Sequence, residues 1–186
     1  MASLLKHDWR EGERMKDLMF DLETLGTGSN ALVTQIGACF FDIETGEIDR
    51  KFSVNIDISE SLARGFEVDA DTLSFWFRQP EESRTFLNEP QSIDTSLRLF
   101  RSASWGCERV WSHSIFDYFL LDNLHKKTGK KLTFDFRQCR DIRTLIDLAE
   151  FEREKETRVM PHDALSDCIY QVGYCSKAYK KLKGKL

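Results

Sequence analysis

The hydrophobic period of the chain changes once, at about Ser59, and that change limits the fold more than any other feature of the sequence. Before it, residues 18–22 and 32–41 are rich in β-branched and aromatic side chains and are separated by the turn formers Gly26 to Asn30. Asp42-Ile43-Glu44-Thr45-Gly46 supplies a second turn, and the segment from Lys51 then puts Phe52, Val54 and Ile56 on one face. A meander of three strands is expected. Beyond Ser59 the spacing is helical: Leu62 and Ala63, then Leu73, Phe75, Trp76 and Phe77 behind a cap at Asp69 or Asp71. Further helices are expected at 81–87 and 92–102. Residues 109–113 read as a fourth strand leading into a helix over 116–128 that stops at Gly129, residues 133–137 as a short fifth strand, and about 163–182 as a long last helix. Strands first and alternating helix and strand afterwards make one mixed α/β layer fold.

With 186 residues, 41% hydrophobic and 31% charged, the chain has the profile of one globular unit able to bury a core. No run approaches the roughly 18 apolar residues that a membrane span needs. Residues 1–15 carry Lys6, Asp8, Arg10, Glu11, Glu13 and Arg14 without an apolar stretch, so no secretory signal is expected and the cytoplasm is the expected location. The five cysteines, Cys39, Cys107, Cys139, Cys168 and Cys175, are odd in number and form no C-x-x-C pair, which argues against a disulfide framework or a zinc knuckle. Cys168 and Cys175 share a helix face and read as buried apolar residues. The net charge of −4 excludes a globally basic nucleic-acid binder but not a local groove. Lysines and arginines gather between Lys126 and Arg143 and again from Lys177 to Lys185, either as solvated faces or as such a groove.

Two carboxylates, Asp21 and Glu23, stand two residues apart near the end of the first strand. Alternation points both to one side, about 6 to 7 Å apart along the chain. Like charges in that position call for a hard divalent ion or a proton. Asp117 falls at the start of the helix after the fourth strand, where it is either an ordinary cap residue or a further ligand. His162 precedes Asp167 by five residues, a turn of about 500° on a continuous helix, so the two face different ways unless His162 lies just before the helix. With Asp163 as the cap, a loop histidine and a carboxylate of the early turns converge.

Taken in order, D-x-E, a helix-start aspartate and H-x-x-x-x-D resemble the DnaQ-like (DEDDh) 3′–5′ exonucleases of the ribonuclease H-like fold. The resemblance is nearest to a phage and bacterial branch that includes exonuclease VIII-like enzymes, phage exonuclease A and a mycobacterial-type exoribonuclease. It runs from about Lys16 to Leu182 and includes Leu25-Gly26-Thr27-Gly28-Ser29, Asp71-Thr72-Leu73-Ser74-Phe75-Trp76 and Arg140-Asp141-Ile142-Arg143-Thr144. It departs from the family's frequent Trp-Trp at Phe75-Trp76, and residues 1–15 have no counterpart in the pattern. They are expected to be a disordered extension to an exonuclease domain over 16–186.

The resemblance implies a ribonuclease H-like mixed five-stranded sheet flanked by helices, a phage or bacterial origin, and single-stranded DNA or RNA 3′ ends as partners. It implies two Mg²⁺ or Mn²⁺ ions held by Asp21, Glu23, Asp117 and Asp167, with His162 as general base, a role that an ordinary imidazole pKa of about 6.5 suits. Substrate contacts are expected from Thr24, Leu25, Gly26, Trp76, Phe116 and Arg140; Trp76 and Phe116 read more readily as core, since an aromatic at helical spacing usually packs inward. Arg140 and Arg143 either touch phosphate or join Asp141 in an ion-pair network. Relatives often form homodimers, though no sequence feature here reports an interface. The competing readings are a catalytically inactive nucleic-acid-binding module on the same fold, which requires a broken site, and an internally cutting nuclease, which has no use for the H-x-x-x-x-D spacing.

Overall fold

The computed structural model describes residues 15–153 and 162–184; the extension expected over residues 1–15 lies, but for Met15, outside them. Five strands form one sheet in the order β3-β2-β1-β4-β5. Strands β1 (Asp17–Thr24), β2 (Val33–Phe41) and β3 (Ile48–Asn55) are the antiparallel meander, and β4 (Arg109–Ser112) and β5 (Cys139–Asp141) run parallel to β1 on its other side. This is the expected mixed five-stranded sheet flanked by helices. No helix of the described residues is long and apolar enough to cross a membrane.

As the central strand, β1 is covered on both faces, and its alternation divides the core in two. Leu18, Phe20 and Leu22 pack with Leu97 and Phe100 of α3 (Ile93–Ala103) and with Leu120, Leu121 and Leu124 of α4 (Ile115–Lys127). Met19 packs on the opposite face with Ile142 and Leu145 of α5 (Ile142–Ala149) and Cys168, Val172 and Cys175 of α6 (Ala164–Gly184). Asp21 and Glu23 share the parity of Met19, so they rise toward α6. Cys168 and Cys175 are fully buried on that helix, and all five cysteines are free thiols.

Helix α6 approaches the sheet very closely. A Cβ on Gly37, which pairs with Asp21 across β1 and β2, would lie 2.2 Å from the carbonyl carbon of Ala164 and 2.4 Å from the Leu165 nitrogen. Only glycine admits the first turn of α6 at this depth. At the other end of β1 the buried Asp17 accepts two bonds of 2.6 Å from Arg109 and one of 2.8 Å from the Trp111 indole, tying β1 to β4.

The structure departs from expectation in three places. Strand β5 is Cys139–Asp141, not residues 133–137: Phe134 is drawn into the core, and Asp135 and Gln138 close a capping box around a 3-10 turn at Phe136–Gln138. Residues 81–87 form two 3-10 turns rather than one helix, following Pro80 and divided at Arg84. Helix α5, missed in the sequence, follows β5 directly; its cap is Asp141, whose carboxylate accepts from the Thr144 N–H at 2.9 Å. Two short helices, α1 (Ile58–Ala63) and α2 (Ala70–Arg78), complete the fold.

Candidate active site

The C-terminal end of β1, the first turn of α4 and the first turn of α6 meet at one end of the sheet, and each carries acids. A bulge between Glu23 and Thr24 ends the regular β1–β2 pairing here. Oxygens of Glu23 and Asp167 and a ring nitrogen of His162 all lie within 4.8 Å of one another. Both carboxylates are buried, which is costly for two like charges unless a cation or protons compensate them.

Asp21 and Asp117 make up the rest of the cluster. Burial pushes the Asp21 carboxyl well above its ordinary range, and the charges of Asp117, Glu23 and Asp167 push it further; only the Gln171 amide, donating to Oδ1 at 2.8 Å, opposes them. Burial raises Asp117 to about 7 against its own backbone N–H, that of Ser114, and the charge of Arg143. Ser114 caps α4, placing Asp117 in its first turn as expected. Four carboxylates feeling one another in this way are a donor set suited to hard divalent cations, which prefer oxygen ligands.

His162 sits before α6 in a left-handed backbone conformation, φ +62°, uncommon for a residue with a side chain. Its ring is fixed edge-on by Phe75 at 5.0 Å and Trp76 at 5.8 Å between centroids. Asp163 then caps α6 through the Ser166 N–H at 2.9 Å and accepts from Thr85 Oγ1, also at 2.9 Å. Burial works against the charge of Asp163, but the bonds from Ser166, Thr85 and Gln35 hold its carboxyl below the usual range. The Gln35 side chain also accepts from the Ala164 N–H at 2.7 Å. Gln35 pairs with Glu23 across the strands, so one buried amide ties the start of α6 to the acid-bearing end of β1.

The residues expected to meet substrate take different places. The Thr24 hydroxyl donates to the Gly26 carbonyl at 2.7 Å, and Leu25 is buried. The loop after them is clamped by Asp69, which accepts from the Thr27 N–H at 2.6 Å and leaves little space beside Gly26, where a Cβ would lie 3.2 Å from its oxygen. Trp76 is not an open stacking platform: it is 4% exposed and its indole donates to the Thr24 carbonyl at 2.9 Å. Phe116 is half-buried against the core. The exposed Arg140 turns its guanidinium to the carbonyls of Arg137 and Cys139 at 2.9 and 2.8 Å. Arg143, in the first turn of α5, is the arginine whose charge reaches Asp117.

Sequence reasoning passed over Gln171, Gly37 and Gln35, and singled out Phe75 without giving it a contact with His162. Gln171 had a signal, since it follows Asp167 by four residues and so lies one turn further along the same face. Gln35 and Gly37 had none, because their importance arises from a strand register that a single sequence does not display.

The structure is similar to product-bound exonuclease I, with a TM-score of 0.63 at 12% identity over 91% of this chain, which spans only 44% of that protein. It is similar to Schizosaccharomyces pombe Pop2p in its Mg²⁺- and Mn²⁺-bound form, with a TM-score of 0.55 at 12% identity, covering 88% of this chain and 82% of that one. Exonuclease X in complex with 5′-overhanging duplex DNA gives 0.50 at 13% identity, covering 88% and 91%. At such identities these likenesses establish the fold. No curated protein sequence matches the chain. A family model, however, matches residues 16–179, nearly all of the sequence. The chain therefore belongs to the 3′-5′ exoribonuclease Rv2179c-like domain family, a family of 3′–5′ exonucleases.

Proposed function

We propose that residues 16–186 form an exonuclease domain that removes nucleoside 5′-monophosphates from the 3′ end of single strands. The observation that carries this reading is the meeting of Glu23, His162 and Asp167 within 4.8 Å, beside Asp21 and Asp117. Asp21, Glu23, Asp117 and Asp167 would hold two Mg²⁺ or Mn²⁺ ions, relieving the repulsion that burial imposes on them. Such ions would supply a lowered pKa for the attacking water and charge stabilisation for the departing 3′ oxygen.

The protein's own groups do the rest. His162 accepts the water's proton as the water oxygen bonds to phosphorus and the P–O3′ bond breaks. Phe75 and Trp76 hold the imidazole edge-on, and Asp163 with Gln35 fixes the backbone that presents it. Gln171 holds one oxygen of Asp21, and its amide adds no charge to compete with a cation. Arg143 supplies a positive charge beside Asp117, suited to a phosphate of the strand. Thr24, Leu25 and Gly26 offer a rigid backbone edge to the terminal nucleotide.

The nearness of His162 to two carboxylates supports a second reading, in which it is itself a metal ligand. Calorimetric metal titration of His162→Ala separates the two, because a base can be removed without loss of ion affinity and a ligand cannot.

The family description names RNA, which makes RNA the first substrate to test. Single-stranded RNA and DNA of one sequence, labelled at the 5′ end and given Mg²⁺ or Mn²⁺, should shorten in single-nucleotide steps. Intact strands with both metals, together with no measurable ion affinity, would instead support an inactive binding module.

A further inference from the structure

On the face of the sheet away from α6, the middle of α3, the end of α4 and the turn after it enclose a cavity of about 340 Å³. Arg98, Arg101, Lys130 and Lys131 line it with a single carboxylate, Asp94. Lys130 pairs with Asp94, which also lies 3.8 Å from Arg64. Arg98, Arg101 and Lys131 have no ion-pair partner among the described residues. His125 also lines the cavity, 2% exposed, with Nδ1 donating to the Leu121 carbonyl at 2.8 Å, which fixes its tautomer.

With Lys130 paired to Asp94, three further cations face one concavity, and a bound anion would offset their mutual repulsion. Arginine beside lysine is the side-chain set that suits phosphate, pairing a planar fork of donors with a compact charge. The volume is at the lower end of small-molecule sites, the size of one nucleotide unit rather than a bare ion. The cavity is separate from the acid cluster: Asp117 and His125 are eight residues apart on α4, about 12 Å along the helix axis, and the lysines lie beyond.

We propose that this cavity is a second nucleotide site, recognising a nucleotide unit through its phosphate. That phosphate belongs either to a free nucleoside 5′-monophosphate or to an internal position of a strand whose 3′ end lies elsewhere. Calorimetry on the full chain in EDTA, where no metal-dependent hydrolysis occurs, reads both. The probes are adenosine 5′-monophosphate and single-stranded RNA of three and of twenty nucleotides, each titrated into the wild type and the Arg98→Ala/Arg101→Ala/Lys131→Ala variant.

All three side chains are exposed, so the variant should keep the wild-type melting temperature. A free-nucleotide site predicts at least tenfold weaker monophosphate binding in the variant. A strand site predicts at least tenfold weaker binding of the twenty-mer with the three-mer unchanged, and a salt dependence shallower by about 0.7 in log–log slope for each phosphate that the variant no longer neutralises. Lysine in place of both arginines, with Lys131 intact, should restore part of either loss, since the charge returns without the planar fork. Affinities within twofold of wild type for all three probes would overturn the proposal. None of these arms requires catalysis, so they read the cavity whether or not the exonuclease reading holds.

Discussion

Asp21 and Asp117 are held in their protonated direction by burial, and Asp21 also by the charges around it, so the consequence for stability has a definite sign. A carboxyl whose pKa is raised in the folded state binds its proton more tightly there than in the unfolded chain. Stability without metal therefore falls as pH rises from about 4 to about 7, the interval between the two pKa values of Asp117. Asp117→Asn should flatten that decline and melt several degrees above the wild type at pH 7 in EDTA. A divalent ion should raise the wild-type melting temperature more at pH 7 than at pH 5. Thermal melts across this range, with and without Mg²⁺, check both statements. For His162→Ala, single-turnover kinetics should show a chemical step slower by roughly 10² to 10⁴. Removing the amide with Gln171→Leu should weaken ion affinity severalfold in calorimetric titration, because Asp21 is then without the donor that orients it. The D-x-E pair and the H-x-x-x-x-D spacing were legible because both are local in the chain. The supports of His162 were not, since Phe75, Trp76 and Gln35 reach it only after the sheet and α2 have assembled.

At the scale of elements, the site depends on how deeply α6 sits on the sheet. Gly37→Ala would drive a methyl group into the backbone of the first turn of α6, and backbone cannot give as a side-chain tip can. The substitution should cost about 1 to 3 kcal/mol or more in denaturant melts and should reduce activity even at temperatures where the fold persists. Strands β1 to β4 and helices α3, α4 and α6 were legible because each has enough residues for a period to show. Strand β5 has three residues, too few for alternation, and the aromatic residues just before it mimic a strand while serving as a core plug and a turn. Helix α5 was hidden behind it. The motif Arg140 to Thr144 divides into a strand end, a helix cap and one arginine whose charge reaches Asp117.

Across the whole molecule, one sheet separates two chemical faces. The α6 side and the C-terminal end of β1 gather the acids, while the α3–α4 side carries the basic cavity, so a chain of net negative charge still presents cations where a phosphate would need them. The central claim is that Asp21, Glu23, Asp117, His162 and Asp167 form one metal-dependent centre acting at 3′ ends. Its most direct test is a single-stranded RNA carrying its label in the 3′-terminal nucleotide, incubated with Mg²⁺ or Mn²⁺ beside a circular strand of the same sequence. The account predicts that the first labelled product is the nucleoside 5′-monophosphate, that the circle stays intact, and that EDTA or Asp21→Ala abolishes release. Label appearing in oligonucleotides, or cutting of the circle, would contradict it.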